Sequence, residues 1–172
     1  MNIFLKLLVI ILIIFLNSCS KKEEKISMIQ EKELRLQMID AYKEGVKALE
    51  EGDVLFAAKK FNEAEILFPQ SEWASKSILM AAYSYYTQDY YYDAISELDR
   101  FIKNYPKDER LNYAHFLLAM CYYEQIVDEK KDLGPLLNAQ KEFKFIIKNY
   151  PNSDFALDSK FKLDFINDVL AS

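Results

Sequence analysis

Three side chains in this sequence could carry reactive chemistry: the thiols of Cys19 and Cys121 and the imidazole of His115. The neighbours of His115 in the sequence are apolar, which is typical of a structural histidine rather than a general base. Cys121 and His115 are six residues apart, outside the spacings by which zinc ligands are arranged, and no glycine-rich phosphate loop is present. We therefore expect a protein that is not an enzyme, with no metal site and no cofactor, in which Cys121 is a small buried hydrophobic residue.

Cys19 differs from the other two because of the residues that precede it. Lys6 supplies a positive start, residues 7–16 form an unbroken apolar run, and small Ser18 stands just before the cysteine. The Leu-Asn-Ser-Cys ending resembles a bacterial lipobox, which implies cleavage before Cys19 and acylation of its sulfur and its new amino group. We expect a lipoprotein signal peptide over 1–18 and a lipidated tether over 19–32.

The alternative interpretation of the same segment is a transmembrane anchor. A spanning helix needs about 20 apolar residues, whereas residues 3–16 number fourteen and include a lysine. Ser20 follows the cysteine, where an aspartate would resemble an inner-membrane retention signal. The lipidated interpretation therefore predicts an anchor in the outer membrane, with the protein on the periplasmic face.

The charge balance limits the classes of partner. The chain has 22 basic and 27 acidic residues, and removal of residues 1–18 would leave 21 basic residues and a net charge of −6. Because no basic excess is available to neutralise phosphates, nucleic acid is not expected to bind. Three glycines and four prolines leave few positions for hairpin turns, which favours an all-helical chain.

An internal repeat predicts which elements position these residues. Small residues recur every 37 positions at Gly45, Ala82 and Ala119. The proline at position 69 recurs 37 residues later at position 106 and then 45 residues later at position 151. The third unit therefore has eight additional residues, which we place in the turn over 127–135.

The spacing inside each unit is typical of a tetratricopeptide repeat. Counting back from the closing proline, the twentieth position carries Ala57, Ala94 and Ala139 in successive units. Small residues at the eighth and twentieth positions let two helices approach closely, and Phe61 at the twenty-fourth fills the space beside them. The proline then ends the second helix because it has no amide hydrogen to donate.

The pattern predicts an all-α fold, a tetratricopeptide-repeat solenoid of antiparallel helix pairs with about three repeats plus a C-terminal helix. We expect helices over 31–51, 54–67, 72–87, 90–104, 108–127, 136–149 and 154–170. The repeat domain would cover 33–172, with repeats at about 38–71, 75–108 and 112–153.

Longer motifs resemble the outer-membrane assembly lipoproteins of the BamD family. They are the run 99–106 that closes the second repeat, the run 114–120 that opens the third, the run 150–156, and the acidic insert around Asp128 and Asp132. The resemblance implies a scaffold of the machine that folds β-barrels into the outer membrane. It also implies a BamA-like barrel protein, other assembly subunits and unfolded outer-membrane proteins as partners, with membrane attachment through the lipid.

Members of that family usually have five repeats, whereas three and one further helix fit this sequence. A shortened relative and a fragment of a longer chain are both compatible with that count. The alternative function is that of a different periplasmic tetratricopeptide lipoprotein, such as a pilotin or a cell-envelope coordination protein.

Two sets of residues are candidates for binding. The groove-facing positions of the first helices supply an apolar and aromatic surface suited to the alternating aromatic ends of barrel strands. These candidates are Tyr42, Leu79, Tyr83, Tyr86, Tyr113, Phe116, Met120 and Tyr123. Candidates for charged contacts with a partner subunit are Arg100 and Lys103 in the second repeat and Asp128 and Asp132 in the third-repeat insert.

Overall fold

Seven α-helices and no strand are found in the computed structural model, which describes residues 28–126 and 132–171. The helices are α1 (Met28–Glu50), α2 (Val54–Leu67), α3 (Glu72–Tyr86), α4 (Tyr91–Asn104), α5 (Leu111–Tyr123), α6 (Gly134–Asn149) and α7 (Asp154–Ala171). The all-α prediction is confirmed. The expected signal peptide, Cys19 and Asp128 lie outside the described residues.

Helix α5 is shorter at both ends than the predicted range of 108–127. The Asp108 carboxylate accepts hydrogen bonds from the Arg110 backbone amide at 2.9 Å and from its Nε at 2.8 Å. These bonds hold residues 108–110 in a turn, so the helix begins at Leu111. At the other end, the Ile126 amide bonds to the Tyr123 carbonyl in a tighter turn.

The helix ends follow from local side-chain chemistry. Asp53 and Ser71 each accept a hydrogen bond from a first-turn amide, at 3.1 and 3.2 Å, and so cap α2 and α3. Gly52 and Asp89 have φ values of 83° and 63° in the turns inside the first two helix pairs, where the sequence predicted turns. One non-helical residue and a proline follow α2, α4 and α6: Phe68-Pro69, Tyr105-Pro106 and Tyr150-Pro151.

The small residues of the repeat lie where paired helices meet. Ala57, Ala94 and Ala139 have no exposed surface. Gly45 on α1 faces Phe61 on α2, and a Cβ atom added at Gly45 would lie 2.9 Å from two ring carbons of Phe61. Contact at this distance explains why the position requires a small residue.

Four buried clusters follow one another along the array. Met38, Ala41 and Ala64 begin the series, and the next cluster surrounds Phe61. A third cluster surrounds Leu98 and Phe101, and a fourth joins α5, α6 and α7 around Phe143. Each helix packs mainly on its neighbours in sequence, and α5 also contacts α3 and α7. This serial packing is that of a solenoid.

No helix of the described ranges is both long enough and apolar enough to cross a membrane.

A polar contact joins the two helices of the third pair, α5 and α6. His115 Nδ1 on α5 lies 2.8 Å from the Glu142 carboxylate on α6, and the His115 ring lies 4.1 Å from the ring of Phe145. The Lys141 ammonium group lies 3.5 Å from the other carboxylate oxygen of Glu142. Loss of surrounding water raises the pKa of Asp99 on α4, and the negative charge of Glu142 raises it further.

We expect Gly45→Ala to destabilise the fold. Overpacking against Phe61 costs about 1–3 kcal/mol, and the higher helix propensity of alanine returns about 1 kcal/mol. The midpoint of urea unfolding should therefore fall. The double variant Gly45→Ala/Phe61→Leu reproduces the Ala82 and Leu98 of the second pair and should be more stable than the summed single losses imply. If the double variant lost as much stability as the two single variants together, the result would contradict the close contact between Gly45 and Phe61.

Asp99→Asn should raise the free energy of unfolding at neutral pH. Because the folded-state pKa of Asp99 is raised, the ionised carboxylate is disfavoured in the native protein above that pKa. The gain should shrink as pH falls through the pKa, since the wild-type carboxyl then becomes neutral as well. Asp93→Asn is the matched control, because Asp93 lies in the first turn of the same helix and should favour the helix dipole. Denaturant titrations from pH 7 to pH 4 measure the free energy of unfolding of both variants. A stability gain of Asp99→Asn that does not depend on pH would contradict the prediction.

Candidate peptide-binding site

The first helices of the pairs, α1, α3 and α5, together with α7, form one side of the array, which we call the A-helix face. Tyr42 on α1 contacts Trp73 on α3 edge to face, with ring centroids 5.1 Å apart. Further along, Phe116 on α5 contacts Phe155 on α7 at 5.0 Å. Aromatic contacts therefore connect neighbouring first helices along this face.

A cavity of about 330 Å³ opens on this face between α1 and α3. We call it the Trp73 cavity, and it is lined by Ile39, Tyr42, Lys43, Val46, Trp73 and Lys76. Lys76 Nζ lies 4.8 Å from the ring centroid of Trp73 and 5.3 Å from that of Tyr42. Cation–π attraction therefore holds one ammonium group over two rings at the lip of an apolar cavity.

A second cavity, of about 580 Å³, adjoins the first because both include Ile39 and Trp73. Its walls also include Met38 and Phe68, with Ser71 and Glu72 from the start of α3. Together the two cavities form a continuous concavity beside the first helix pair. Its dimensions fit side chains of an extended segment better than a folded domain.

The eight groove candidates differ in exposure. Tyr83 is exposed over 38% of its surface, whereas Leu79 is buried at 4%. The other six are half-buried: Tyr42, Tyr86, Tyr113, Phe116, Met120 and Tyr123. Burial raises the pKa of Tyr113 to about 12. Tyr83 therefore offers the most accessible ring of the set, and the others are largely packed into the array.

The structure places seven of these candidates in three groups, and the exposed Tyr83 belongs to none of them. Tyr42 lines the Trp73 cavity. Leu79, Tyr86 and Tyr113 belong to or pack against the cluster around Leu98. Phe116, Met120 and Tyr123 pack against the cluster around Phe143. Their role in binding stays a prediction.

Tyr42 and Val46 of the Trp73 cavity lie at groove-facing positions of the repeat pattern, but sequence reasoning missed its other four residues: Ile39, Lys43, Trp73 and Lys76. Trp73 and Lys76 are three residues apart on α3, so they share one helix face. That spacing, with the single tryptophan of the chain in the first turn after the Ser71 cap, was the available signal.

Arg100, a candidate for partner contact, bonds within the chain. Its guanidinium forms ion pairs with Glu65 on α2 and with Glu97 on its own helix, and Nη2 donates to Asn62 Oδ1 at 2.8 Å. Asn62 in turn donates to Glu97 at 2.9 Å, and the Tyr105 hydroxyl donates to Glu65 at 3.2 Å. These five side chains, which we call the Arg100 network, connect the second helices of the first two pairs.

The other charged candidates are in different settings. Lys103 is exposed on α4. Asp132 is exposed before α6, and its Oδ1 accepts a hydrogen bond from the Gly134 amide at 2.8 Å. The contacts predicted for these residues and for Arg100 with a partner subunit stay predictions.

In the described ranges, the surroundings of Cys121 and His115 are those of structural residues. Cys121 is fully buried, and burial raises the pKa of its thiol to about 12, which leaves little thiolate at neutral pH. One ring nitrogen of His115 is bonded to Glu142. Across residues 28–126 and 132–171, no three His, Cys, Asp or Glu side chains converge as metal ligands would.

We expect Arg100→Ala to destabilise the protein by about 1–3 kcal/mol, because Glu65 is only 5% exposed and would lose its charged partner. Adding Glu65→Gln should recover part of the loss by removing the buried charge. Lys103→Ala on the same helix is the exposed control and should change stability by about 0.5 kcal/mol or less. Equal stability of Arg100→Ala and wild type in urea unfolding would contradict a structural role for the network.

Solved structures similar to this chain are tetratricopeptide domains. The first such domain of Spaghetti (RPAP3), solved with the HSP90 peptide SRMEEVD, superposes with a TM-score of 0.60 at 15% identity and covers 80% of this chain and 96% of that domain. The Arabidopsis OM64 domain gives a TM-score of 0.58 at 12% identity over 76% of this chain and 97% of its own. These similarities confirm the predicted repeat fold.

Sequence relatives of this chain include proteins named as outer membrane protein assembly factors. The outer membrane protein assembly factor BamD of Caulobacter vibrioides is 37% identical over 153 residues, covering 89% of this chain and 49% of the relative. BamD of Rickettsia prowazekii is 32% identical over 130 residues, covering 76% and 52% respectively. The chain thus spans about half the length of the curated relatives it matches.

The family model YfiO, described as an outer membrane lipoprotein, matches residues 35–172. That range includes every described helix except the first turns of α1. The resemblance noted from the repeat-closing motifs is confirmed, and the chain belongs to the YfiO/BamD family of outer membrane lipoproteins.

Proposed function

We propose that this chain is a non-enzymatic scaffold in outer-membrane β-barrel assembly, anchored at the periplasmic face by lipid on Cys19. The observation that carries the proposal is the family match over residues 35–172, supported by relatives that are named as assembly factors. A BamA-like barrel protein, other assembly subunits and unfolded barrel proteins are the proposed partners.

The two sides of the array differ in their side chains, which suggests that they have separate roles. The Arg100 network holds the first two pairs together through their second helices. The A-helix face instead carries a concavity and the exposed ring of Tyr83. We place substrate binding on the A-helix face, where apolar and aromatic side chains can receive alternate side chains of an extended strand.

Charged positions are the proposed sites for partner subunits. Lys103 is exposed, and Asp132 is exposed just before α6, where one of its carboxylate oxygens accepts a hydrogen bond from the Gly134 amide. Such rim charges steer association and set specificity more than they contribute affinity. Arg100 would act mainly by stabilising the surface on which these charged residues lie.

Capture of the detergent-extracted, Cys19-containing chain from its own cell envelope tests the assembly role. A BamA-like barrel protein should be recovered with it, and recovery of pilus or other envelope components in its place would support the alternative lipoprotein function. The Cys19→Ala variant is the control for anchoring, since it keeps the repeat array and loses the acylated residue.

Peptide titration tests the substrate role separately. The full chain should bind a labelled peptide with the alternating aromatic ending of barrel strands more tightly than a scrambled peptide. Tyr83→Ala should weaken that binding by about 1 kcal/mol, as loss of an aromatic anchor does. Tyr92→Ala is the matched control, because Tyr92 is an 82% exposed tyrosine on α4, away from the A-helix face. Equal affinity for the two peptides would remove the substrate role and leave a scaffold.

A further inference from the structure

Helix α7 carries apolar side chains on two opposite sides. Ala156 and Ile166 are buried in the cluster around Phe143, so one side of the helix packs against the array. The other side carries three apolar residues that are 60%, 67% and 52% exposed, in the order Leu157, Phe161 and Phe165. Because they follow one another at intervals of four residues, they form one stripe, which we call the Phe161 stripe. A surface helix usually has a single apolar side, so the Phe161 stripe is a candidate contact surface.

The charged residues beside the Phe161 stripe are arranged symmetrically in the sequence. Lys160 and Lys162 stand directly before and after Phe161, and Asp158 and Asp164 stand three residues before and after it. Because a helix turns by about 100° per residue, Lys160 and Asp164 lie along one edge of the stripe, and Asp158 and Lys162 lie along the other. Within residues 28–126 and 132–171, none of these four side chains forms an ion pair. Both edges therefore offer one cation and one anion to a partner.

A second copy of α7 matches the apolar stripe when the two helices run antiparallel. A two-fold axis at Phe161 brings the two Phe161 rings together, and it places Leu157 of each copy opposite Phe165 of the other. Antiparallel packing also sets the two helix dipoles in opposite directions, which is the favourable arrangement for neighbouring helices. The apolar residues of both stripes then lose contact with water, and their burial favours the pair.

The charged edges match the same arrangement. Along one edge, Lys160 of each copy would lie opposite Asp164 of the other, with an axial offset of about 3 Å at a rise of about 1.5 Å per residue. Along the other edge, Asp158 would lie opposite Lys162 with the same offset. The Lys162 ammonium group lies 4.4 Å from the ring centroid of Tyr123, a cation–π contact that keeps it beside the stripe. Because the axis repeats each contact, four pairs of opposite charge would surround the apolar centre.

We propose that α7 pairs with α7 of a second copy of this chain, antiparallel and centred on Phe161. The proposal goes beyond the scaffold role and does not depend on peptide binding. One helix from each copy gives a contact smaller than the roughly 1,200 Å² of a standard stable interface. The pair is therefore reversible, and its population depends on the concentration of the chain.

Sedimentation equilibrium of the detergent-solubilised full chain measures the pairing directly. The wild type should show a monomer–dimer equilibrium, and Phe161→Ala should weaken it at least about tenfold, because the ring lies at the axis in both copies. Tyr92→Ala is the matched control, since Tyr92 is an exposed ring on α4 and should leave the equilibrium unchanged. A wild-type chain that stays monomeric, or equal dissociation constants for wild type and Phe161→Ala, would overturn the proposal.

Charge exchange tests the edges of the stripe. Lys160→Asp and Asp164→Lys should each weaken the pairing about tenfold, because each turns two attractive contacts into repulsive ones. The double variant Lys160→Asp/Asp164→Lys should restore the pairing, since opposite charges then face each other again, and Lys103→Asp on α4 is the control. The same axis places Asp154 of one copy opposite Asp168 of the other, so Asp168→Asn should strengthen the pairing. A double variant as weak as the single variants would overturn the proposed arrangement.

Disulfide cross-linking in the cell envelope tests the orientation and the identity of the partner. Phe161→Cys alone should give a dimer of the chain under mild oxidation, because the two introduced thiols meet at the axis. Leu157→Cys should cross-link to Phe165→Cys when two copies with different tags are produced together, and more weakly to itself. Leu137→Cys is the control, because Leu137 is an exposed leucine on α6. Cross-links of equal yield at position 137, or a cross-link from Phe161→Cys to a different protein, would overturn pairing between copies.

Discussion

Close approach of the two helices in each pair is the constraint on which the rest of the structure depends. Gly45 leaves no room for a Cβ atom beside Phe61, and alanines without exposed surface occupy the equivalent contacts of later pairs. Because the pairs are thin, each can bury its apolar side only against the next. The spacing between α1 and α3, and hence the width of the Trp73 cavity, follows from this stacking.

The fold could be predicted from the sequence because its signals are local and repeated. Small residues and prolines at fixed spacing predicted the hairpins, and helix α2 begins and ends where that spacing placed it. The limits of α5 were wrong, since the hydrogen bonds of Asp108 to Arg110 convert the expected first turn of helix into a separate turn. Side-chain capping of this kind competes with the helix and is not visible in the repeat pattern.

The candidate site was less predictable because its parts come from different repeats. The helical periodicity placed Arg100 on the side of α4 away from the hydrophobic residues of that helix. This position suggested a contact with a partner subunit. The periodicity could not indicate that Glu65 and Asn62, 35 and 38 residues earlier, lie within reach across the contact of α2 with α4. The Trp73 cavity was missed for the same reason, since it exists only where α1 and α3 meet.

The position of the chain's single tryptophan has a practical consequence. Trp73 is 36% exposed at the cavity lip, with the Lys76 ammonium over its ring and Tyr42 against it. Indole emission responds to the polarity and charge around the ring, so all tryptophan fluorescence of this protein originates at the candidate site. The native chain thus contains its own optical reporter, and occupancy of the cavity can be followed without an attached dye.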